Sequence, residues 1–318
     1  MRILVLGAGA TGGYFGGRMV EAGCDVTFLV RPARAERLRG TGLVVESPLG
    51  DIRRPVRAIT ADALAPDYDV VLLSCKAFDL DDAVVTITPA MAADTKVLPV
   101  LNGMSHLDRL DAAFGAPAVL GGLCQIAATL APDGTVRHLN QAHALLFGHR
   151  SEAQRVFCEQ LQTTIMSAKI DVRRSDAIVH EMWEKWVMLA TLAACTCLMR
   201  STVGDIVAAA GGERFILATL DEAQAIAAAN GHAATPKLLE RVRTMLTERG
   251  SGFAASMLRD LEAGGRIEAD HIVGDLLRRG EEQGIEAPLL RVAWVHLKAY
   301  EARRERLAIQ TQAQATAS

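Results

Sequence analysis

The sequence predicts an α/β fold in which a doubly wound parallel sheet is followed by a domain built from helices. Three observations support this prediction. Short apolar runs typical of buried strands alternate with helical segments between residues 2 and 102. A glycine-rich turn directly follows the first of these runs. From about residue 176 the strand pattern almost disappears, and helical segments separated by glycines replace it.

The predicted elements follow one another at the spacing of a doubly wound sheet. Four short apolar runs are predicted as its strands, at 2–6, 25–30, 69–75 and 96–102. A glycine-rich helix is predicted at 11–22, and a small antiparallel hairpin at 42–47 and 50–59 with its turn at Pro48-Leu49-Gly50. Residues 118–148 suit antiparallel strands added to the edge of this sheet, and 152–165 a last amphipathic helix. We therefore predict a Rossmann-type sheet domain at 1–174, an all-α domain at 175–306 and a disordered tail at 307–318, because the tail is small and polar.

Composition excludes several classes of function. The net charge of −3 gives no reason to expect a nucleic acid or an anionic membrane as a partner. The six cysteines form no C-x-x-C pair, so we expect reduced thiols and no metal site. The N-terminus resembles a strand and turn more than a signal peptide, and the apolar run 186–199 is too short to span a bilayer. A soluble cytoplasmic protein that acts on a small molecule is expected.

The glycine-rich turn predicts a dinucleotide site. Its residues are Gly7, Ala8, Gly9, Ala10, Thr11 and Gly12, which fit the G-x-G-x-x-G pattern. The turn lies between a strand and a helix, where the first glycine permits the tight turn, the second the approach of a pyrophosphate and the third close helix–strand packing. The helix N-terminus adds N–H groups and partial positive charge. The alternative is a tight turn without a ligand.

The end of the second strand bears on the choice of cofactor. An acidic residue there would bind a ribose 2′-hydroxyl, whereas this strand runs into Arg31, with Arg34 close behind. Positive charge favours a 2′-phosphate, so NADP(H) is predicted over NAD(H). A solvated arginine in a loop is the alternative.

Three further residues are candidates for chemistry. Lys76 and Asn102 follow the third and fourth strands of the sheet, at the edge where ligands bind in such folds. Lys185 stands at the start of a run of fourteen uncharged residues. A lysine there either reaches to solvent along its apolar stem or is kept half-buried because its proton is used.

These motifs together resemble the ketopantoate reductase family. The stretches "GAGATG", "CKAFD", "LNGM", "WEKW" and "ASMLRDLEAGGRIEAD" occur in the family's order and spacing, between residue 1 and about 305. The resemblance implies reduction of a 2-oxo acid by NADPH, the reaction of 2-dehydropantoate 2-reductase in pantothenate biosynthesis. It implies the following roles: Lys185 as proton donor, Glu268 as the acidic partner of a substrate hydroxyl, Ser256 as carboxylate ligand, Asn102 beside substrate and nicotinamide, and Lys76 on the cofactor.

Ordinary structural roles remain open for two of these residues. Glu268 follows Gly264-Gly265 at the start of a helix, where the helix dipole alone favours an acid. Ser256 could be an ordinary small helical residue.

The chain departs from the family at the substrate end. Asparagines that the family usually carries are replaced by Leu189, Ala193, Val273 and Phe253. A pocket without these amides is suited to a more apolar carbonyl than ketopantoate. Two other functions stay open, a dinucleotide-binding sensor without turnover and a reductase of an imine. Ala-rich helical faces leave room for a homodimer.

Overall fold

The computed structural model describes residues 1–317 and divides the chain into two compact units, Met1–Met182 and Trp183–Ser318. The division lies inside one long helix, Ile178–Met199, whereas the sequence predicted a boundary before it, at 174/175. The prediction followed the change from strand to helix pattern near residue 176, whereas the division between the units falls within the first helix after that change.

The N-terminal unit contains a five-stranded parallel sheet in the order β5-β2-β1-β6-β7. Its strands are β1 (Arg2–Leu6), β2 (Asp25–Leu29), β5 (Arg57–Ile59), β6 (Val70–Leu73) and β7 (Lys96–Pro99). The central residues of β1, β2, β6 and β7 are almost fully buried, as expected for a parallel sheet covered on both faces, whereas the edge strand β5 is only partly buried. The predicted doubly wound sheet is confirmed.

A second sheet in this unit differs from the prediction. It contains β3 (Leu43–Glu46), β4 (Ile52–Arg54), β8 (Gly121–Leu130), β9 (Val136–Gly148) and β10 (Asp171–Arg174) in the order β10-β9-β3-β4, with β8 paired to β9. The expectation that residues 118–148 add antiparallel strands to the first sheet is therefore wrong for β8 and β9, and only an isolated parallel bridge joins Val119 to Val97 of β7. The predicted hairpin at 42–59 is also only half right, because β4 pairs with β3 while β5 joins the first sheet beside β2.

Helices cover these sheets. They are α1 (Ala10–Glu21), α2 (Pro32–Thr41), α3 (Leu80–Ile87), α4 (Ser105–Phe114) and α5 (Arg155–Ile165). Helix α1 can lie close to the first sheet because its glycines leave room, and a Cβ at Gly16 would stand 2.7 Å from the ring of Phe28. The same helix contacts β3, β8 and β9, so α1 lies between the two sheets.

The long helix that crosses the unit division is α6 (Ile178–Met199). The predicted all-α character of the second unit is confirmed. Its other helices are α7 (Val203–Ala208), α8 (Gly212–Ala229), α9 (Pro236–Leu246), α10 (Ser256–Glu262), a π-helical segment (Asp270–Gly274), α11 (Asp275–Glu282) and α12 (Pro288–Ala317). Residues 307–317, predicted as a disordered tail, instead continue α12, and residue 318 lies outside the described residues. Polar, alanine-rich sequence is compatible with helix as well as with disorder. No helix within residues 1–317 is both long and apolar enough to cross a membrane.

All six cysteines are free thiols. Four of them are buried, and burial raises the pKa of Cys158 to about 11 and the pKa values of Cys195 and Cys197 to about 12. Neutral thiols of this kind behave as small apolar core residues.

Candidate active site

The parallel sheet brings several predicted residues to one edge. In its register Leu6 is level with both Leu29 and Leu73, and Leu73 is level with Pro99. The loops that carry the glycine turn, Arg31, Lys76 and Asn102 all leave the sheet at this carboxyl edge. The edge is where open α/β sheets bind their ligands.

The glycine turn has the geometry that a pyrophosphate site needs. Gly7 has a φ of +86°, and its N–H donates to the carbonyl oxygen of Leu29 at 2.8 Å. A Cβ at Gly12 would stand 2.6 Å from both the Gly7 carbonyl oxygen and the Ser74 Oγ, so the helix packs directly on the sheet. Around Gly9, which caps α1, no described atom outside residues 8–10 lies within 4 Å of the Cβ position. The turn with positive φ, the tight contact and the open approach occur where the motif requires them, and the turn fits a dinucleotide.

Two arginines lie beside this turn in different environments. Arg31 is exposed at the N-terminus of α2. Arg34 is half-buried, and its Nη2 donates to the carbonyl oxygen of Ala8 at 2.8 Å. Burial and the neighbouring Arg37 lower the pKa of Arg34. Arg31 is thus exposed, while Arg34 supports the turn itself, a difference that the sequence pattern did not distinguish.

Lys76 and Asn102 follow neighbouring strands. Lys76 is exposed and precedes a short 3-10 turn after β6. Asn102 is half-buried after β7 and precedes Gly103, which has a φ of +77°. Both residues belong to the sheet edge that carries the glycine turn.

In the helical unit, Lys185 lies in the second turn of α6. Its side chain is half-buried, and the flanking Trp183 and Trp186 are both buried. The two indole rings lie 4.9 Å apart, and Trp183 also stacks on His232 at 5.0 Å. The Lys185 side chain therefore leaves the helix from an aromatic, apolar stretch, which is the setting expected for a partly desolvated lysine.

Glu268 is a buried acid, with 8 % of its surface exposed. It directly precedes the helical turn that becomes the π-helical segment, and its carbonyl oxygen accepts the N–H of Ile272 at 2.9 Å. This position agrees with the helix-start role that the sequence left open. Burial of a carboxyl group is costly unless it is partnered, and single-turn π-helices are frequent at functional sites.

Ser256 is the first residue of α10 and is half-buried. The residue before it, Ala255, donates its N–H to the Thr196 Oγ at 3.4 Å. Thr196 lies on α6, the helix of Lys185, and its hydroxyl donates to the Leu192 carbonyl oxygen at 2.7 Å. A side chain of α6 therefore ties down the start of the serine-bearing helix.

The four apolar replacements fall into two groups. Ala193 and Val273 are packed into the interior, at 1 % and 0 % exposure. Leu189, one helical turn after Lys185, and Phe253, three residues before Ser256, are half-buried and so remain partly accessible. These two positions are the ones at which the loss of an amide can affect a ligand directly.

Comparison with known proteins places the whole chain in one family. The family profile described as Ketopantoate reductase PanE/ApbA matches residues 3–152, and its C-terminal counterpart matches residues 177–301. The two matches together cover most of the chain. The chain belongs to the ketopantoate reductase family of oxidoreductases.

Individual relatives agree with this assignment. The chain is 34 % identical to the uncharacterized oxidoreductase YkpB of Bacillus subtilis, over 96 % of this chain and 100 % of that protein. It is 26 % identical to 2-dehydropantoate 2-reductase of Pyrococcus horikoshii, over 95 % of this chain and 98 % of that protein. The crystal structure of a PanE/ApbA family ketopantoate reductase from Ralstonia eutropha superposes with a TM-score of 0.86 at 27 % identity, covering 96 % and 100 % of the two chains.

Proposed function

We propose that this protein reduces a 2-oxo acid to the corresponding 2-hydroxy acid with NADPH, the type of reaction that 2-dehydropantoate 2-reductase performs. The observation that carries the proposal is that the helical unit contains both a half-buried lysine, Lys185, and a buried acid, Glu268. The glycine turn at the sheet edge, with its open approach at Gly9, supports a dinucleotide as the second component.

The proposed chemistry divides among the residues of the chain. NADPH, when bound, supplies a hydride to the carbonyl carbon. As negative charge develops on the carbonyl oxygen, Lys185 stabilises it and then donates the proton from its Nζ. Ser256 binds the substrate carboxylate, Glu268 accepts a hydrogen bond from a substrate hydroxyl, and Asn102 orients the substrate. Lys76, Arg31 and the glycine turn bind the cofactor.

The alternative functions have less support. A sensor that binds a dinucleotide without turnover has no need of a proton donor, yet Lys185, Glu268 and Ser256 are all present. A reductase of an imine rests on fold analogy alone. Metabolism of a small molecule in the cytoplasm and assembly as a homodimer remain predictions.

A more apolar 2-oxo acid is the second candidate substrate. The half-buried Leu189 lies on the face of α6 that carries Lys185, one turn further along. An apolar pocket discriminates poorly against an added hydroxyl, whereas a pocket built to bind that hydroxyl strongly rejects ligands that lack it. Leu189 therefore favours a substrate with an aliphatic side chain over one that requires a bonded hydroxyl.

The deciding experiment compares substrates with purified protein. NADPH oxidation is followed with ketopantoate and with 2-oxoisovalerate, which lacks the hydroxymethyl group, and Lys185→Ala serves as the control. Lys185-dependent turnover of either acid supports the proposed reaction. A kcat/KM for 2-oxoisovalerate equal to or above that for ketopantoate supports the apolar pocket, and a strong preference for ketopantoate contradicts it. NADPH binding without turnover of any 2-oxo acid overturns the proposal in favour of the sensor.

A prediction about cofactor choice follows from the environment of Arg31. Replacing Arg31 with alanine is expected to weaken NADPH binding about tenfold or more, because a charge-assisted bond to the 2′-phosphate is lost, and to leave NADH binding almost unchanged. Titration of cofactor fluorescence measures both affinities. Arg39→Ala, an exposed arginine on the same helix, is the matched control. Equal losses for NADPH and NADH in Arg31→Ala would show that Arg31 does not recognise the 2′-phosphate.

A further inference from the structure

A hydrogen bond joins the helix of Lys185 to the segment that follows Glu268. The indole Nε1 of Trp186 donates to the carbonyl oxygen of Ile272 at 2.9 Å. Trp186 is the residue after Lys185 and is only 1 % exposed. Ile272 lies at the centre of the π-helical segment.

Ile272 forms hydrogen bonds with both of its backbone polar groups. Its N–H donates to the carbonyl oxygen of Glu268 at 2.9 Å, and its own carbonyl oxygen accepts the indole of Trp186. A carbonyl oxygen has two lone pairs, so it can accept a side-chain donor in addition to a backbone one. The chain of contacts thus runs from Lys185 through Trp186 and Ile272 to Glu268, with one covalent step and two hydrogen bonds.

The indole ring is itself held in place. Its neighbour Trp183 lies 4.9 Å away, and the guanidinium of Arg279 lies 5.9 Å from its ring centroid. Arg279 is fixed in turn by a 3.0 Å bond from its Nε to Asp275, a buried carboxylate at the start of α11. Because this helix directly continues the π-helical segment, the same part of the chain supplies both the acceptor and the clamp on the ring.

We propose that Trp186 is a positioning residue that sets the separation of Lys185 and Glu268 through its bond to Ile272. The inference rests on the proposed function of these two residues and adds a further residue to their site. An error of about 1 Å in the placement of a proton donor can cost on the order of 10²-fold in rate, so a buried bond beside the donor has a direct effect on turnover.

The test compares two Trp→Phe variants of the full-length protein. Trp186→Phe removes the bond to the Ile272 carbonyl. Trp294→Phe is the matched control, because the Trp294 indole also donates to the π-helical segment, at 3.0 Å, but to the side chain of Asp270. That carboxylate keeps Lys298 as a partner at 2.6 Å. A third variant, with benzothienylalanine at position 186, retains the ring shape and replaces the N–H with sulfur, so that it covers the case in which Trp186→Phe fails to fold.

Two readouts separate positioning from loss of stability. We expect Trp186→Phe and the benzothienyl variant to lower kcat about tenfold or more, to leave the NADPH dissociation constant within about twofold, and to raise the primary isotope effect measured with deuterated NADPH. Loss of folded protein alone changes neither the isotope effect nor the affinity. In these variants we also expect hydrogen exchange to accelerate at both segments, residues 268–274 and residues 183–190. In Trp294→Phe we do not expect it to accelerate at both.

Each outcome decides the proposal. Equal kcat values and isotope effects for the variants at position 186 and for Trp294→Phe would overturn the positioning role while leaving the proposed reaction intact. If the wild type turns over no 2-oxo acid, the proposed function fails, and exchange alone then decides whether Trp186 couples the two segments. Unchanged exchange at 183–190 in the variants at position 186 would show that it does not.

Discussion

Replacing Lys185 with alanine is expected to lower kcat for the best 2-oxo acid by about 10²–10⁴-fold, because general acid catalysis contributes on this scale. Lys185 is half-buried between two buried tryptophans in the sequence, so we expect that no exposed lysine can take over its role as proton donor. The dissociation constant of NADPH should stay almost unchanged, since the glycine turn lies in the other unit. Steady-state rates and cofactor titration measure the two quantities separately.

Two further lysine variants sharpen this test. Lys185→Arg keeps the positive charge but not a proton that can be donated near neutral pH, so it should remain almost as inactive as Lys185→Ala. Lys237→Ala removes an exposed lysine of α9 and should retain wild-type rates. Activity in Lys185→Ala within threefold of wild type would remove Lys185 from the mechanism.

The glycine turn gives the second large effect, in a pair of variants of which only one is expected to lose stability. In Gly12→Ala the new Cβ meets the backbone oxygen of Gly7 at 2.6 Å, so the turn must shift. We expect a loss of about 1–3 kcal/mol in the free energy of unfolding and a loss of NADPH binding of tenfold or more. In Gly9→Ala the Cβ enters open space, so stability should be nearly unchanged while NADPH binding falls to a similar extent.

Thermal or urea unfolding and cofactor titration distinguish these variants. Gly23→Ala, at a turn with φ of +84° away from the sheet edge, is a control for glycine loss alone, and it should be less stable with normal cofactor affinity. Full NADPH affinity in Gly9→Ala would show that no pyrophosphate approaches the backbone at this turn.

Local features of the fold were predictable from sequence, and pairings between distant segments were not. The turn from Gly7 to Gly12 is specified by its own residues and the strand before it, so motif and structure agree. The segment 50–59 shows the limit, because an apolar alternation predicts a strand but not the sheet to which it belongs. Strand β10 was missed for the same reason, since four residues with two arginines form a strand only through pairing with β9.

The candidate site divides in the same way. Lys185, Glu268 and Ser256 came from motifs, and the structure adds what surrounds them. Nothing in the spacing of "WEKW" identifies the backbone acceptor of the second indole, because Ile272 lies 86 residues further along the chain. The preference for Arg31 over Arg34 likewise depends on the contact between Arg34 and Ala8, which no local pattern encodes. Tertiary contacts identify the side chains that support a site, whereas residue type and spacing in the sequence identify the candidates for those that act in it.

The two-sheet arrangement of the N-terminal unit has a consequence for synthesis on the ribosome. All five strands of the first sheet have been made once β7 ends at Pro99. The β3–β4 hairpin is also complete by then, but its partner β9 begins only at Val136. For the time that these residues take to emerge, one edge of β3 is unpaired, which is the condition under which nascent chains aggregate or recruit chaperones. Helix α1 packs against β3 as well as against the first sheet, so early docking of the hairpin on α1 would shield its apolar face until β9 arrives.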